Sequence, residues 1–212
     1  QTALDCQRVV RVVPQKRLVC KAVWQGKSVY AKLFLGADAA KYITRDVAGV
    51  KLLSDANIDT PSLLYQGGTS DKNSQVLLLE AIKSADTAEA IWLSLGQDAR
   101  LALAKKLTAE VAKHHNANLL QTDLYLKNFL VTDKLIYTID GDGIRQFRHL
   151  SDGQALQNLS VLWSKFDVLD VEKWQQNLVA VYSAARTTHS RAESTKLASM
   201  ATQHRLKVAS TY

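Results

Sequence analysis

Two periodicities divide this chain, and any fold it adopts must house both. Up to residue 80 the pattern is that of strands, and beyond residue 85 it is mostly helical. Segments 7–13, 17–24 and 28–35 are short, rich in valine and joined by brief polar links, which predicts three strands. Gln25, Gly26 and Lys27 read as a hairpin turn. Over 37–56, Ile43, Val47, Val50 and Leu53 recur at steps of three and four, the spacing of a helix with one buried face. Residues 57–61 are expected to end it, because Pro61 pushes its predecessor out of the helical region. Strands 62–66 and 75–80 follow, linked through Gly67, Gly68 and residues 71–73. The first part therefore reads β-β-β-α-β-β.

The second part reads as a short amphipathic helix at 87–95 and a strong one at 97–115, with Leu103, Leu107 and Val111 on one stripe. Two further helices are predicted at 156–166 and 171–185. A tight hairpin, 129–132 and 135–139 around Asp133 and Lys134, interrupts them. The tail 186–212 is basic and rich in Ser and Thr; Ser190 and Glu193 match a capping box, which predicts a final helix presenting Arg191, Lys196, Arg205 and Lys207. The fold class is α+β, with a boundary near 81–85. A strand-rich unit, 1–82, and a helical unit, 83–212, would share one cleft.

With 212 residues, 47% of them hydrophobic, the chain can bury a full core. Cys6 and Cys20 are too few for a disulfide framework and read as reduced thiols of a cytoplasmic protein, a single bridge being the alternative. No apolar run approaches the roughly 20 residues of a membrane span. No secretory leader is visible, but the chain opens on Gln, so a trimmed one stays open. The net charge of +7 suggests an anionic partner: a nucleotide, a phospholipid surface or a nucleic acid. Aromatics make up 7% and do not interleave with a basic stripe, which argues against nucleic acid.

The segment 121–130, QTDLYLKNFL, places Asp123 five residues before Asn128, and a short apolar strand then leads to Asp140. One carboxylate to orient a hydroxyl, and an amide plus a second carboxylate to hold magnesium, is the layout of a phosphoryl-transfer site. Lys32 lies amid apolar alternation in the third strand, where a lysine is costly to bury without an anion. It is a candidate for the α- and β-phosphates of a nucleotide, and Asp46, on the following helix, for the acid that holds it. Taken singly, each residue has an ordinary reading: a lysine on the solvent face of an edge strand, a surface acid beside Arg45, a turn built on short polar side chains. The order of lysine, acid, Asp-x4-Asn and Asp is much harder to reach by chance. Asp142 competes with Asp140, which is preferred because it directly ends the apolar run 135–139. His114 and His115 lack a second His or Cys cluster at zinc spacing, so His115 is expected to be a hydrogen-bonding group behind the loop. Trp24, Trp92, Trp163 and Trp174 are expected to pack in the core or between the units.

Together these residues resemble the protein-kinase-like superfamily, and within it the small bacterial kinases of the lipopolysaccharide core, which act on Kdo and heptose. Those proteins typically show His-x-x-Gly-x-x-His-x-Asp-Leu-x-x-x-Asn-Phe-Leu, then Ile-Asp. Here the run from His115 to Leu130 carries Asn118, Gln121, Asp123 and Asn128, followed by Ile139 and Asp140. Tyr30, Ala31 and Lys32, then Arg45 and Asp46, Ile58, Thr60 and Pro61, and later Asn158, Leu159, Leu162, Tyr182 and Arg186 extend the resemblance over roughly 7–186. It implies a two-lobed kinase-like fold, with a small five-stranded N-lobe carrying one helix and a reduced helical C-lobe.

It also implies ATP and Mg2+ as cofactors, Lys32, Asp46 and Asp123 as catalytic residues, Asn128 and Asp140 as metal ligands, and the backbone of Glu80 to Ile82 meeting adenine. The acceptor would be a sugar hydroxyl of the lipopolysaccharide core, and the basic tail could hold the protein peripherally at an anionic membrane face. The chain departs from the pattern where Asn118 stands for Gly, Gln121 for His and Asp46 for Glu. It has no glycine-rich phosphate loop, a gap that Lys16 or Arg17 could fill. These departures leave a non-catalytic pseudokinase open. A minimal protein kinase is the other alternative, which the short stretch 143–151 disfavours as a platform for a protein substrate.

Overall fold

The computed structural model describes residues 3–70, 74–167, 170–188, 192–193, 195–196 and 198–200. In chain order its elements are β1 (Asp5–Val13), β2 (Arg17–Trp24), β3 (Lys27–Phe34), α1 (Ala39–Asp55), β4 (Leu63–Gly68) and β5 (Gln75–Glu80). There follow β6 (Asp86–Thr87), α2 (Ala88–Ser94), α3 (Gln97–Asn116), β7 (Leu119–Gln121), β8 (Phe129–Val131), β9 (Ile136–Thr138), β10 (Ile144–Gln146), α4 (Asp152–Trp163) and α5 (Val171–Ala185). The chain is α+β.

The first five strands form one antiparallel sheet in the order β1-β2-β3-β5-β4. Gln25 and Gly26 both have positive φ (49° and 76°), the two-residue geometry whose twist matches that of the strands it joins. Side chains alternate between the sheet's faces. Phe34, Leu77 and Leu79 pack on one face with Ile43, Val47 and Val50 of α1. Cys20, Ala22, Val29, Ala31 and Leu78 fill the other. Lys32 pairs with Leu77, so it emerges on the face that α1 covers.

Pro61 is not what ends α1. The helix stops several residues earlier, at Asn57, whose φ of 55° is left-handed. The Asn57 amide donates to Ser54 O (3.0 Å) and the Ile58 amide to Leu53 O (2.9 Å), a Schellman closure in which Asn takes glycine's usual place. Leu53 and Ile58 are both buried in the cluster beneath it.

The second half is built around α3, which packs against α4 and α5 over a core containing Leu107, Phe129, Leu159, Trp163 and Tyr182. Trp92 stacks on Phe166 at 5.2 Å, with Trp174 edge-on at 5.9 Å. Trp24 lies apart, on the first sheet beside Tyr65. Two small sheets, β10-β7 and β6-β8-β9, carry the loops of interest. Both cysteines are free thiols. Among the described residues no helix is long and apolar enough to cross a membrane. The described residues between 192 and 200 are helical, with Ala198 buried and Lys196 exposed. Ser190, Arg191, Arg205 and Lys207, on which the capping box and most of the basic tail rest, lie outside the described residues.

Candidate active site

Three elements meet at Asp46. Its side chain is fully buried; Oδ2 accepts from Lys32 Nζ of β3 at 2.7 Å, and Oδ1 accepts from the Gly141 amide at 3.1 Å. Lys32 Nζ also donates to Asp140 Oδ1 at 3.3 Å. The sheet, α1 and the turn after β9 are thereby joined through one carboxylate. A buried ion pair with its remaining lone pairs satisfied is the condition under which such a pair is tolerated.

That Asp rather than Glu suffices follows from two glycines. A Cβ on Gly49 of α1 would lie 1.9 Å from Gly141 O, and one on Gly141 would lie 2.1 Å from Asp46 O. Backbone therefore meets backbone where α1 crosses the 3-10 turn Gly141–Gly143, and the helix sits close enough for the shorter acid to reach Lys32. Sequence reasoning missed this contact. The available signal was a glycine inside a helix, which costs about 1 kcal/mol relative to alanine and marks a close approach when it persists.

Asp140 has φ 70° and ψ 72°, left-handed for a residue with a side chain. Gln121 holds it there: its Nε2 donates to Ile139 O (3.2 Å) and Asp140 O (3.4 Å). Gln121 thus performs a backbone-holding task. A Cβ on Gly143 would meet Gln121 Oε1 at 2.0 Å, so a larger residue there would push the Gln121 amide away from its place against Asp140. Burial pushes the Asp140 carboxyl upward. The charges of Lys32, Arg17 and Arg11, with the Lys32 hydrogen bond, together outweigh that and hold it below the usual carboxylate range. Asp142 is half-buried and pairs with Arg45 (3.0 Å), whereas Asp140 is the acid that meets Lys32.

Asn128 is buried, and its Nδ2 donates to Asp123 O at 2.8 Å. That bond fixes the loop from Asp123 to Asn128 and commits the amide nitrogen, so Oδ1 is the atom that can face a cation. Its own carbonyl accepts from the Ile139 amide (2.9 Å), so the β8–β9 hairpin sets Asn128 next to the strand that delivers Asp140. Asp123 itself is exposed and is not among the side chains that meet at Lys32, Asp46 and Asp140. Glu80 ends β5, where its carboxylate accepts from Ser62 Oγ (2.9 Å); the following Ala81 amide donates to Ser28 O (3.2 Å), and Ile82 is half-buried beyond it.

Behind the loop runs a buried relay. Tyr182 of α5 meets His115 Nδ1 (2.8 Å), His115 Nε2 meets Asn158 Oδ1 (3.1 Å), and Asn158 Nδ2 donates to Gln121 O (2.9 Å). Burial, aided by nearby Arg186 and His114, outweighs the Asn158 hydrogen bond and lowers the His115 pKa to about 3. Burial likewise lowers His114 to about 3; it bonds Thr138 Oγ1 at 3.0 Å. Asn118 has φ 56°, a left-handed conformation that Asn tolerates at little cost.

Among the described residues no group of three or more His, Cys, Asp or Glu side chains could cage a metal. One carboxylate and one amide oxygen suit magnesium, which keeps several waters and takes its other ligands from phosphate. In this arrangement Arg17 Nη1 stands 3.5 Å from Asp140 Oδ1 and 4.0 Å from Asp46 Oδ2, on the same Asp140 oxygen that Lys32 Nζ approaches at 3.3 Å. No protein-family model matches the chain, and no curated protein matches it.

Proposed function

We propose that the chain is an ATP-dependent kinase of two-lobed, protein-kinase-like architecture, with residues 1–82 as the small lobe and 83–212 as a reduced helical lobe. The observation that carries the reading is the cluster in which Lys32 Nζ lies 2.7 Å from Asp46 and 3.3 Å from Asp140. A lysine paired to a helix acid on one side of a cleft, and an acid at a strand end on the other, is the arrangement that phosphoryl transfer requires.

In this reading Lys32 binds the α- and β-phosphates of ATP and Asp46 holds its position. Asn128 and Asp140 would hold Mg2+, which neutralises charge on the phosphates when bound. Asp123 orients an acceptor hydroxyl and receives its proton. The acceptor oxygen forms a bond to the γ-phosphorus as the bond from that phosphorus to the β,γ-bridging oxygen breaks, and ADP leaves. The backbone after Glu80, at Ala81 and Ile82, faces adenine.

The acceptor class, a sugar hydroxyl in the lipopolysaccharide core, is supported by the resemblance of the run 115–140. The net charge of +7 is compatible with an anionic glycolipid at a cytoplasmic membrane face. Only the stretch containing β10 separates the Gly141–Gly143 turn from α4, which gives little room for a protein substrate. One observation favours a second, non-catalytic reading: both Lys32 and Arg17 are engaged on Asp140, as suits a nucleotide-responsive pseudokinase.

Mass spectrometry of core oligosaccharide from a strain lacking this protein tests the acceptor class. The kinase reading predicts loss of one phosphate, restored by the wild-type chain. An unchanged phosphate pattern contradicts it.

A further inference from the structure

A cradle of backbone amides around phosphate is hard to build in the β1–β2 turn. Of its three residues, Pro14 has no N–H and the Lys16 amide donates to Val13 O at 3.1 Å. No glycine is present there. The carbonyl of Lys16 is also engaged, accepting from the Leu35 amide at 2.8 Å, so the turn is pinned to the end of β3.

Side chains offer what the amides cannot. Arg11 pairs with Val19 across β1 and β2, and Val19 pairs with Lys32 across β2 and β3. The three therefore form a row on one face, and Arg17, two residues before Val19, shares that face. Three cations, Arg11, Arg17 and Lys32, thus look onto two acids, Asp46 and Asp140, and all three act on the Asp140 carboxyl. Arg17 is only 16% exposed and held at 3.5 Å from Asp140. Beside it opens a cavity of about 170 Å³, lined by Val13, Lys16, Arg17, Phe34, Tyr42 and Asp142. Asp142, on that cavity, is paired with Arg45 at 3.0 Å, so the site keeps surplus positive charge and a forked donor next to a space, which is the chemistry that recognises phosphate oxygens.

We propose that Arg17, backed by Arg11 and Lys16, is a side-chain phosphate clamp that replaces a glycine-rich loop, exchanging Asp140 for the terminal phosphates of a nucleoside triphosphate when its magnesium complex enters. The inference rests on the kinase reading and adds the residue that grips the phosphates. In the nucleotide-free state Arg17 neutralises Asp140. With Asp140 and Asn128 holding Mg2+, the Arg17 guanidinium would have phosphate oxygens to pair with, so neither charge would be left unpaired.

Calorimetric titration of the full chain tests it, using the β,γ-imido analogue of ATP with Mg2+, adenosine, and Mg2+ alone, on wild type and Arg17→Ala. The clamp predicts triphosphate binding weakened about tenfold or more, as expected for lost hydrogen bonds to charged groups. Adenosine affinity should be unchanged, and Mg2+ alone should bind more tightly because its competitor for Asp140 is gone. Should Arg17→Ala fail to fold, Arg17→Lys keeps a cation near Asp140 yet loses the fork, and must still weaken the triphosphate selectively. Equal triphosphate affinity in the folded variant and wild type overturns the clamp, as does a parallel loss of adenosine. If wild type binds neither adenosine nor the triphosphate, the kinase reading itself falls and the clamp with it.

Discussion

Asp46 gives one carboxylate oxygen to Lys32 and the other to the Gly141 amide, and its side chain has no exposed surface. A longer acid has no room, because α1 and the turn at Gly141 already meet backbone to backbone at Gly49. Asp46→Glu, which restores the residue usual in the resembling kinases, should therefore destabilise the chain by about 1–3 kcal/mol through overpacking. Urea unfolding followed by circular dichroism measures this; a variant as stable as wild type would show that α1 has freedom to retreat. At this scale the sequence was informative where chemistry repeats a spacing and silent where one backbone touches another. Lys32, Asp46, Asn128 and Asp140 could be singled out from residue type and order. Gly143 and the grip of Gln121 on Asp140 O could not, because each depends on a contact between segments far apart in the chain, and Gly49 left only the weak signal of a glycine inside a helix.

The elements are tied to one another by buried polar groups as well as by apolar packing. His115 of α3 bonds Tyr182 of α5 and Asn158 of α4, and through Asn158 reaches β7. Both His114 and His115 are neutral, with pKa lowered from 6.5 to about 3 by burial. An unfolded chain would protonate them as pH falls below 6.5, while the folded chain would not until about 3. Stability is therefore complete above the unfolded value and lost as pH falls through that window, by at most about 1.4 kcal/mol per histidine per pH unit. Thermal melts from pH 7.5 to pH 5 should show a falling Tm, less steep in His115→Gln; a flat profile in wild type would contradict the burial argument. The elements with a sustained period were legible in the sequence, including the antiparallel strands β2 and β5 and the helices α1, α3 and α5. The three-residue strands β7 and β10 were not, since three residues carry no period and their pairing comes from across the fold. The start of α4 was missed as well, although Ser151 and Gln154 form a reciprocal capping box there.

Across the whole molecule, a strand-rich half supplies the cations and a helical half supplies the acids and amide, and Asp46 on α1 sits where they meet. Neither half holds the candidate site alone. Arg11, Arg17 and Lys32 come from three neighbouring strands, whereas Asp123, Asn128 and Asp140 come from the loops around the β8–β9 hairpin. Asp140 meets Lys32 across this division, whereas its near neighbour Asp142 pairs with Arg45. The most direct measurement is Mg2+-dependent transfer of label from γ-labelled ATP to lipopolysaccharide core oligosaccharide by wild type, Asp140→Ala and Asp142→Ala. The account predicts that wild type transfers label, that Asp140→Ala loses about 100-fold or more with the fold retained, and that Asp142→Ala stays within about tenfold of wild type. Transfer by Asp140→Ala at the wild-type rate, or its loss in Asp142→Ala alone, would contradict it.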